Sequence, residues 1–331
     1  MSSSELPSAS GPSQVRRLDS WRAVLVFTML GLGIVVAAHL QIMMTLRRVD
    51  DGVFGVWNRV LNGQVDVDIL AVGSSRALVQ VDCGVLKQEL HQRCFNIGLD
   101  GSPAHVQRPL LQLFLQRNPA PKVAVYSLSL GDIGPGGFND PGQYLPYLHE
   151  RLLYDSFAQN QGDAWKHRFI PLYGVAIYGQ RLIDPVLRHF LGRPDTAPRI
   201  DGFYPVNAGW DHTFELFIQK HPDGVQLPIN PPSVTALRDN LLSLKQRGVR
   251  PIVVFAPEFH EIWRYLHNRR EVLDIYRNMA AETGVPFVDY STDPMSFDRA
   301  NFYNSQHLNA RGAEAFTRQM ALDLRRLGLV R

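Results

Sequence analysis

Cysteine is nearly absent from this 331-residue chain, which has only Cys83 and Cys94. No Cys/His spacing of the zinc-ligand kind surrounds them, so neither a structural zinc site nor a cysteine nucleophile has support. An oxidising compartment would permit a disulfide between the two. Residues 84–91 read as a helix, however, which is expected to hold the pair apart as two buried free thiols. Charge of one sign is also scarce. The chain has 34 Lys and Arg against 31 Asp and Glu, a net charge of +3, with no basic block and no recognition motif. A nucleic-acid partner is therefore not expected. His260-Glu261 lacks a second histidine four positions on, where Arg264 stands, which excludes a zincin. No motif points to a metal or a cofactor.

Asp, Glu, Lys and Arg are missing altogether from residues 23–46. As a helix this segment spans about 36 Å at ~1.5 Å per residue, enough to cross a bilayer. The run is longer than the apolar part of a cleaved signal peptide, and no small-x-small site precedes Arg47-Arg48. A retained transmembrane anchor is expected, preceded by a disordered, Ser/Pro-rich cytoplasmic tail at 1–20. Arg16, Arg17 and Arg22 flank one end, whereas Arg47 and Arg48 at the other are followed by Asp50 and Asp51. That bias puts the N-terminus inside and residues 50–331 outside. His39 and Gln41 lie where a polar tip reaches the interface.

Past the anchor, residues 53–63 form a short amphipathic element, and strand–helix alternation then begins. Strands are expected at 69–72, 95–98, 123–128, 251–256 and 286–289. Helices are expected at 104–116 (Ser102 as cap, Pro103 at the first position), 234–248 (Ser233 as cap), 261–283 and 310–327. Such alternation predicts an α/β fold with a mostly parallel sheet covered on both faces. Between about 134 and 228 the pattern lapses into an irregular, aromatic-rich insertion. Its segment 169–191 carries an apolar stripe expected to be a core helix, with a membrane or partner contact as the other reading.

Sites in parallel sheets form at the carboxyl ends of strands, where Ser75, Gly101, Asp132 and Glu258 all fall. The first strand runs into Gly73-Ser74-Ser75-Arg76-Ala77. Gly-x-Ser at a helix start presents a hydroxyl and free backbone N–H groups together, although a tight turn capped by serine has the same sequence. It is nearly a nucleophile elbow, but an α/β-hydrolase places several strands before its serine, and too few residues separate the anchor from Ser75. Near the other end, Asn304-Ser305-Gln306-His307-Leu308-Asn309-Ala310-Arg311-Gly312-Ala313 puts a histidine just before the last helix. There it is placed either to cap that helix or to serve a serine as base.

Together, Gly-Ser-Ser-Arg after the first strand and His-Leu-Asn-x-x-Gly-Ala before the last helix resemble the SGNH (GDSL-type) hydrolase superfamily. More narrowly they are similar to its membrane-anchored members in cell-surface polymer acylation, the group of the teichoic-acid D-alanylation protein DltD and the alginate O-acetylation proteins. The resemblance covers about residues 66–327, apart from the insertion. It implies an SGNH-like (flavodoxin-like) three-layer sandwich, with Ser75 as catalytic serine and His307 as catalytic histidine. The N–H groups of Ser75 and Gly101 would form the oxyanion site.

Two positions depart from the family pattern. Asn304 stands where the family has Asp, three residues before the histidine. The third-block Asn, expected after strand 123–128, is replaced by Ser129-Leu130-Gly131-Asp132. In a serine protease an Asp-to-Asn change in the triad costs about 10⁴ in kcat. Asp298, Asp132 and Glu258 are candidate substitute acids, a Ser–His dyad is the second possibility, and a dead site is the third. The resemblance implies an O-acyltransferase or esterase acting on a cell-surface polysaccharide from a bacterial inner membrane, with a membrane-bound O-acyltransferase as partner. A catalytically inactive scaffold that binds polysaccharide or assembles a synthesis complex is the alternative.

Overall fold

The computed structural model describes residues 14–330, with side chains from Ser20 onward. Most of the expected tail thus lies outside the described residues, and helix α1 (Gln14–Leu46) already runs through the rest of it. From Ser20 to Leu46 this helix is long and apolar enough to cross a membrane, as an anchor or a signal sequence would be. Trp21, Phe27 and Ile34 on it are exposed, but Met43, Thr45 and Leu46 are buried. The chain folds back there into α2 (Gly52–Leu61), and Asn58 Nδ2 donates to the carbonyls of Leu46 and Val49 at 2.8 and 2.7 Å.

Alternation follows, with β1 (Ile69–Gly73), α3 (Ser75–Gln80), α4 (Cys83–Leu90), β2 (Cys94–Asn96), α5 (Ala104–Arg117) and β3 (Val123–Leu128). The insertion holds a 3₁₀ turn at Pro141–Tyr147, then α6 (Arg151–Asn160), α7 (Ala164–Phe169), α8 (Tyr173–Tyr178), α9 (Gln180–Leu191) and α10 (Thr213–Lys220). The regular part resumes with α11 (Pro231–Gln246), β4 (Arg250–Phe255), α12 (Arg269–Thr283) and β5 (Phe287–Asp289). A small antiparallel hairpin, β6 (Phe302–Asn304) and β7 (His307–Leu308), leads into α13 (Ala310–Arg326).

The five-stranded sheet is parallel throughout, in the order β2-β1-β3-β4-β5. This is the doubly wound, flavodoxin-like order, whose crevice opens beyond the carboxyl end of β1 where the winding reverses. The central strands read as unbroken apolar runs because both faces are covered. Leu70, Val72, Tyr126, Leu128, Val253 and Phe255 pack into one core with α2, α5, α11 and α12. Ile69, Ala71, Val125, Ile252 and Val254 pack into the other with α4 and α13. Each fully buried aliphatic side chain is worth roughly 1.5–3 kcal/mol, so a register slip would be costly on both faces at once.

Five local expectations are corrected. Ser233 does not cap α11, which already begins at Pro231 after Asn230, and its hydroxyl donates to Gly134 O at 2.8 Å. Cys83 and Cys94 are disulfide-bonded, with Cα atoms 5.1 Å apart. α4 does carry the chain away from Cys83, but His91 turns left-handed (φ 54°) and the next residues bring it straight back to β2. The helix expected at 261–283 is a 3₁₀ turn at His260–Tyr265 followed by α12. It breaks because the insertion claims the backbone between them. Val225 N donates to Tyr265 O, His267 N donates to Val225 O, and Asn268 bonds the Leu227 backbone in both directions. Segment 169–191 is not one core helix but the last residue of α7 followed by α8 and α9, with breaks at Leu172 (φ 60°) and Gly179 (φ 39°). Ser102 does not cap α5. Its hydroxyl donates to Asp100 O, and Asp132 O accepts from Ala104 N at 2.8 Å instead.

Candidate active site

Ser75 is the first residue of α3, directly after β1 ends in Gly73 at φ 142°. A Cβ at Gly73 would lie 2.2 Å from the Ser127 carbonyl, so only glycine lets β1 turn this tightly beside β3. The turn leaves Ser75 partly exposed, while its neighbours from Ala71 to Gln80 are buried. The last hairpin lies against α3. Across it, His307 Nε2 comes within 2.7 Å of Ser75 Oγ, a contact between residues 232 positions apart. His307 Nδ1 is 2.9 Å from Asn304 Oδ1, which also accepts from Gln306 N at 3.0 Å. That second donor fixes the amide orientation, so Asn304 presents oxygen to the ring. Nδ1 therefore carries the proton and Nε2 is the lone-pair nitrogen that accepts from the Ser75 hydroxyl.

Burial pushes the His307 pKa down to about 3, the Arg76 guanidinium acts in the same direction, and Asp211 opposes them. The ring is thus neutral at ordinary pH, the form a general base needs. Tyr303 stacks on it, with centroids 5.4 Å apart and planes 9° from parallel. Asn304 keeps the acceptor and loses the charge. It orients the imidazole but contributes no Coulombic stabilisation to an imidazolium.

The three candidate substitute acids are elsewhere. Glu258 is fully buried between two arginines, accepting from Arg76 at 2.6 Å and from Arg269 at 2.5 Å. Asp132 is also buried, and accepts from Ser129 N, Ser129 Oγ, Ser74 Oγ and Gln107 Nε2. Burial raises its pKa against these hydrogen bonds. Asp298 accepts from Ala300 N at the start of a 3₁₀ turn. Among the described residues none of the three bonds His307.

Asp132 instead ties Ser74, the residue before Ser75, to the end of β3, at the place where the resemblance led us to expect an Asn. Gly101 adopts φ +55° in the loop after β2, and a Cβ there would lie 2.9 Å from the Asn139 side chain. Its N–H and that of Ser75 have no hydrogen-bond partner among the described residues. Gly98 is equally tight against α3, where a Cβ would meet Leu78 N at 2.5 Å.

Sequence reasoning missed Arg76 and Tyr303. Arg76 is 1 % exposed, is held by Glu258 and Ala256 O, and lies over the Phe255 ring. It is the charge adjacent to the Ser–His pair, and Glu258 is its counter-ion. The signal was present, since an arginine directly after Gly-Ser-Ser on a buried helix needs a buried acid.

The chain matches no family model and no curated protein sequence. Among solved structures it is similar to the crystal structure of the acetyl xylan esterase AlAXEase, at 11% identity and TM-score 0.40, over 77% of this chain and 98% of that one. It is also similar to the inhibitor-bound form of the M. smegmatis aryl esterase, at 13% identity and TM-score 0.34, over 78% and 98% of the two chains.

Proposed function

We propose that this chain is a membrane-anchored, serine-dependent acyltransferase or esterase of SGNH type. In this reading it acts on O-acyl groups of a cell-surface polysaccharide, from the outer side of a bacterial inner membrane. The observation that carries the proposal is the 2.7 Å contact between Ser75 Oγ and the unprotonated nitrogen of His307. Ser75 Oγ attacks the acyl carbonyl carbon while Nε2 takes its proton. The resulting oxyanion is met by the free N–H groups of Ser75 and Gly101. As the tetrahedral species collapses, the imidazolium returns the proton to the leaving oxygen and the acyl group stays on Ser75. A sugar hydroxyl or water, deprotonated by the same nitrogen, then attacks the acyl carbon, and as the bond to Ser75 Oγ breaks the imidazolium returns the proton to that oxygen and frees the new ester or acid.

Retention of α1 is supported by the burial of its last turns against the domain and by the Arg47–Pro146 hydrogen bond at 2.6 Å. Such tethering suits an enzyme supplied with acyl groups by a membrane-bound O-acyltransferase. The second reading, a non-catalytic scaffold that binds polysaccharide or assembles a synthesis complex, is favoured by one observation, the amide at position 304.

Labelling of the detergent-purified full chain by a fluorophosphonate separates the two. Labelling that is lost in both Ser75→Ala and His307→Ala is expected. A folded wild type that labels no faster than Ser75→Ala refutes the enzyme reading and favours the scaffold.

A further inference from the structure

The insertion carries a second apolar surface that the domain core does not use. Along α9, Leu182 and Val186 are buried. On the same helix Leu187, Phe190 and Leu191 are 52%, 63% and 61% exposed. With Ile183 they recur at helical spacing and make an outward stripe beside the inward one. The preceding helices extend it, since Phe169 and Ile170 at the end of α7 and Ile177 on α8 are exposed as well. Isolated exposed side chains are ordinary on any protein. Six on or just beyond three consecutive helices mark a surface that meets something apolar.

Where these helices are tethered says what that is. α9 packs against α1. In the α7–α8 loop, Leu172 N donates to His39 Nδ1 at 3.3 Å. His39 is within the apolar span Ser20–Leu46, roughly 10 Å from its end at ~1.5 Å per residue. A hydrocarbon layer of about 30 Å needs only about 20 residues of helix, which puts His39 at the layer's boundary and the loop there with it. Lys166 and Arg168 on α7 and Arg193 just beyond α9 supply cations along this segment, while Arg188 on α9 pairs with Asp195 at 3.5 Å. Arg168 lies over the Phe169 ring at 5.3 Å. Apolar side chains below and cations around them are the pattern of a helix lying in a bilayer interface facing anionic headgroups.

We propose that the outward face of α7–α9 is a membrane-seating surface. It embeds in the leaflet at the C-terminal end of α1 and fixes the domain's orientation on the bilayer. The occupant is lipid, and the inference does not depend on the chemistry at Ser75.

The test uses the full chain in vesicles of phosphatidylethanolamine and phosphatidylglycerol. Nitroxide labels are placed on Leu187→Cys and Phe190→Cys, with Leu242→Cys and Leu322→Cys as exposed positions on regular helices of the α/β domain. The native cysteines are bonded to each other and leave the introduced thiol as the labelling site. Collisional relaxation by oxygen, which concentrates in hydrocarbon, is compared with that by a water-soluble nickel chelate. Oxygen is expected to dominate severalfold at 187 and 190, and the order is expected to reverse at 242 and 322. Dominance of the nickel chelate at 187 and 190 would overturn the proposal by showing a water-facing surface. Low access for both reagents would overturn it as well, by showing a protein cover such as a second copy of the chain.

Discussion

Asn304→Asp restores a carboxylate to the one position where the site departs from a charged triad, and its consequences follow from the geometry. The new oxygen would replace an amide oxygen 2.9 Å from His307 Nδ1, and would go on accepting from Gln306 N at 3.0 Å, so the turn is kept. With charge centres about 4 Å apart and an effective dielectric constant of about 20, carboxylate and imidazolium attract by about 4 kcal/mol. That is about three pKa units. It moves His307 from about 3 to roughly 6. The base works when neutral, so labelling falls as pH drops through its pKa. In the wild type that fall lies on the acid side of about pH 4, and the rate is flat with respect to His307 through neutrality. In Asn304→Asp the rate is half-maximal near pH 6. Stabilisation of the imidazolium also raises the plateau, by roughly 10–10³-fold, recovering part of the ~10⁴ attributed to a triad aspartate. The assay is the second-order rate constant for fluorophosphonate labelling of the full chain across the pH range. A folded Asn304→Asp protein with the wild-type plateau and the wild-type acid limb would refute the reasoning, because His307 would then not be the base that position 304 controls.

Three further substitutions test the surroundings of the pair. Glu258→Ala leaves Arg76 and Arg269 without their shared buried acid and is expected to cost about 3–5 kcal/mol, read as a lowered denaturation midpoint. Asp132→Asn weakens the anchoring of Ser74 and Ser129 and should cost about 1–3 kcal/mol. It should leave the acid limb of labelling where it is, and a displaced limb would show that Asp132 acts on His307 after all. Replacing Cys83 and Cys94 by Ser together opens a loop with a sequence separation of 11 and should cost about 3 kcal/mol. The wild type should accordingly take up no thiol reagent until it is reduced.

The central sheet was legible because its physics is local and repetitive. β3 falls on the expected 123–128, and β1, α5 and α13 differ from expectation by a residue at most. The Ser75–His307 meeting was legible only as a resemblance, since nothing in the intervening chain specifies a contact between its distant ends. The disulfide was missed through geometry. A helix between two cysteines suggests separated ends, but an α-helix rises only ~1.5 Å per residue while the returning chain covers about 3.3–3.6 Å. A few extended residues therefore undo two helical turns. The break before α12 was illegible for a different reason, because the groups that cause it, Val225 and Leu227, come from the irregular insertion. The three candidate acids have the right residue type to bond an imidazole. Each turned out to be engaged by a nearer donor or cation, a competition that sequence order does not display.

The separation of Ser75 from His307 along the chain bears on synthesis and breakdown. Ser75 is made long before the hairpin that brings His307 to it, which comes just ahead of α13. A product clipped ahead of residue 302 would keep α1, both cysteines and all five main-sheet strands in its sequence, but it would lack α13, which fills the core on one face of the sheet, and the His307 ring that meets the Ser75 hydroxyl. The 2.7 Å contact therefore forms only in a chain that is intact from Ser75 to His307 and folded around both.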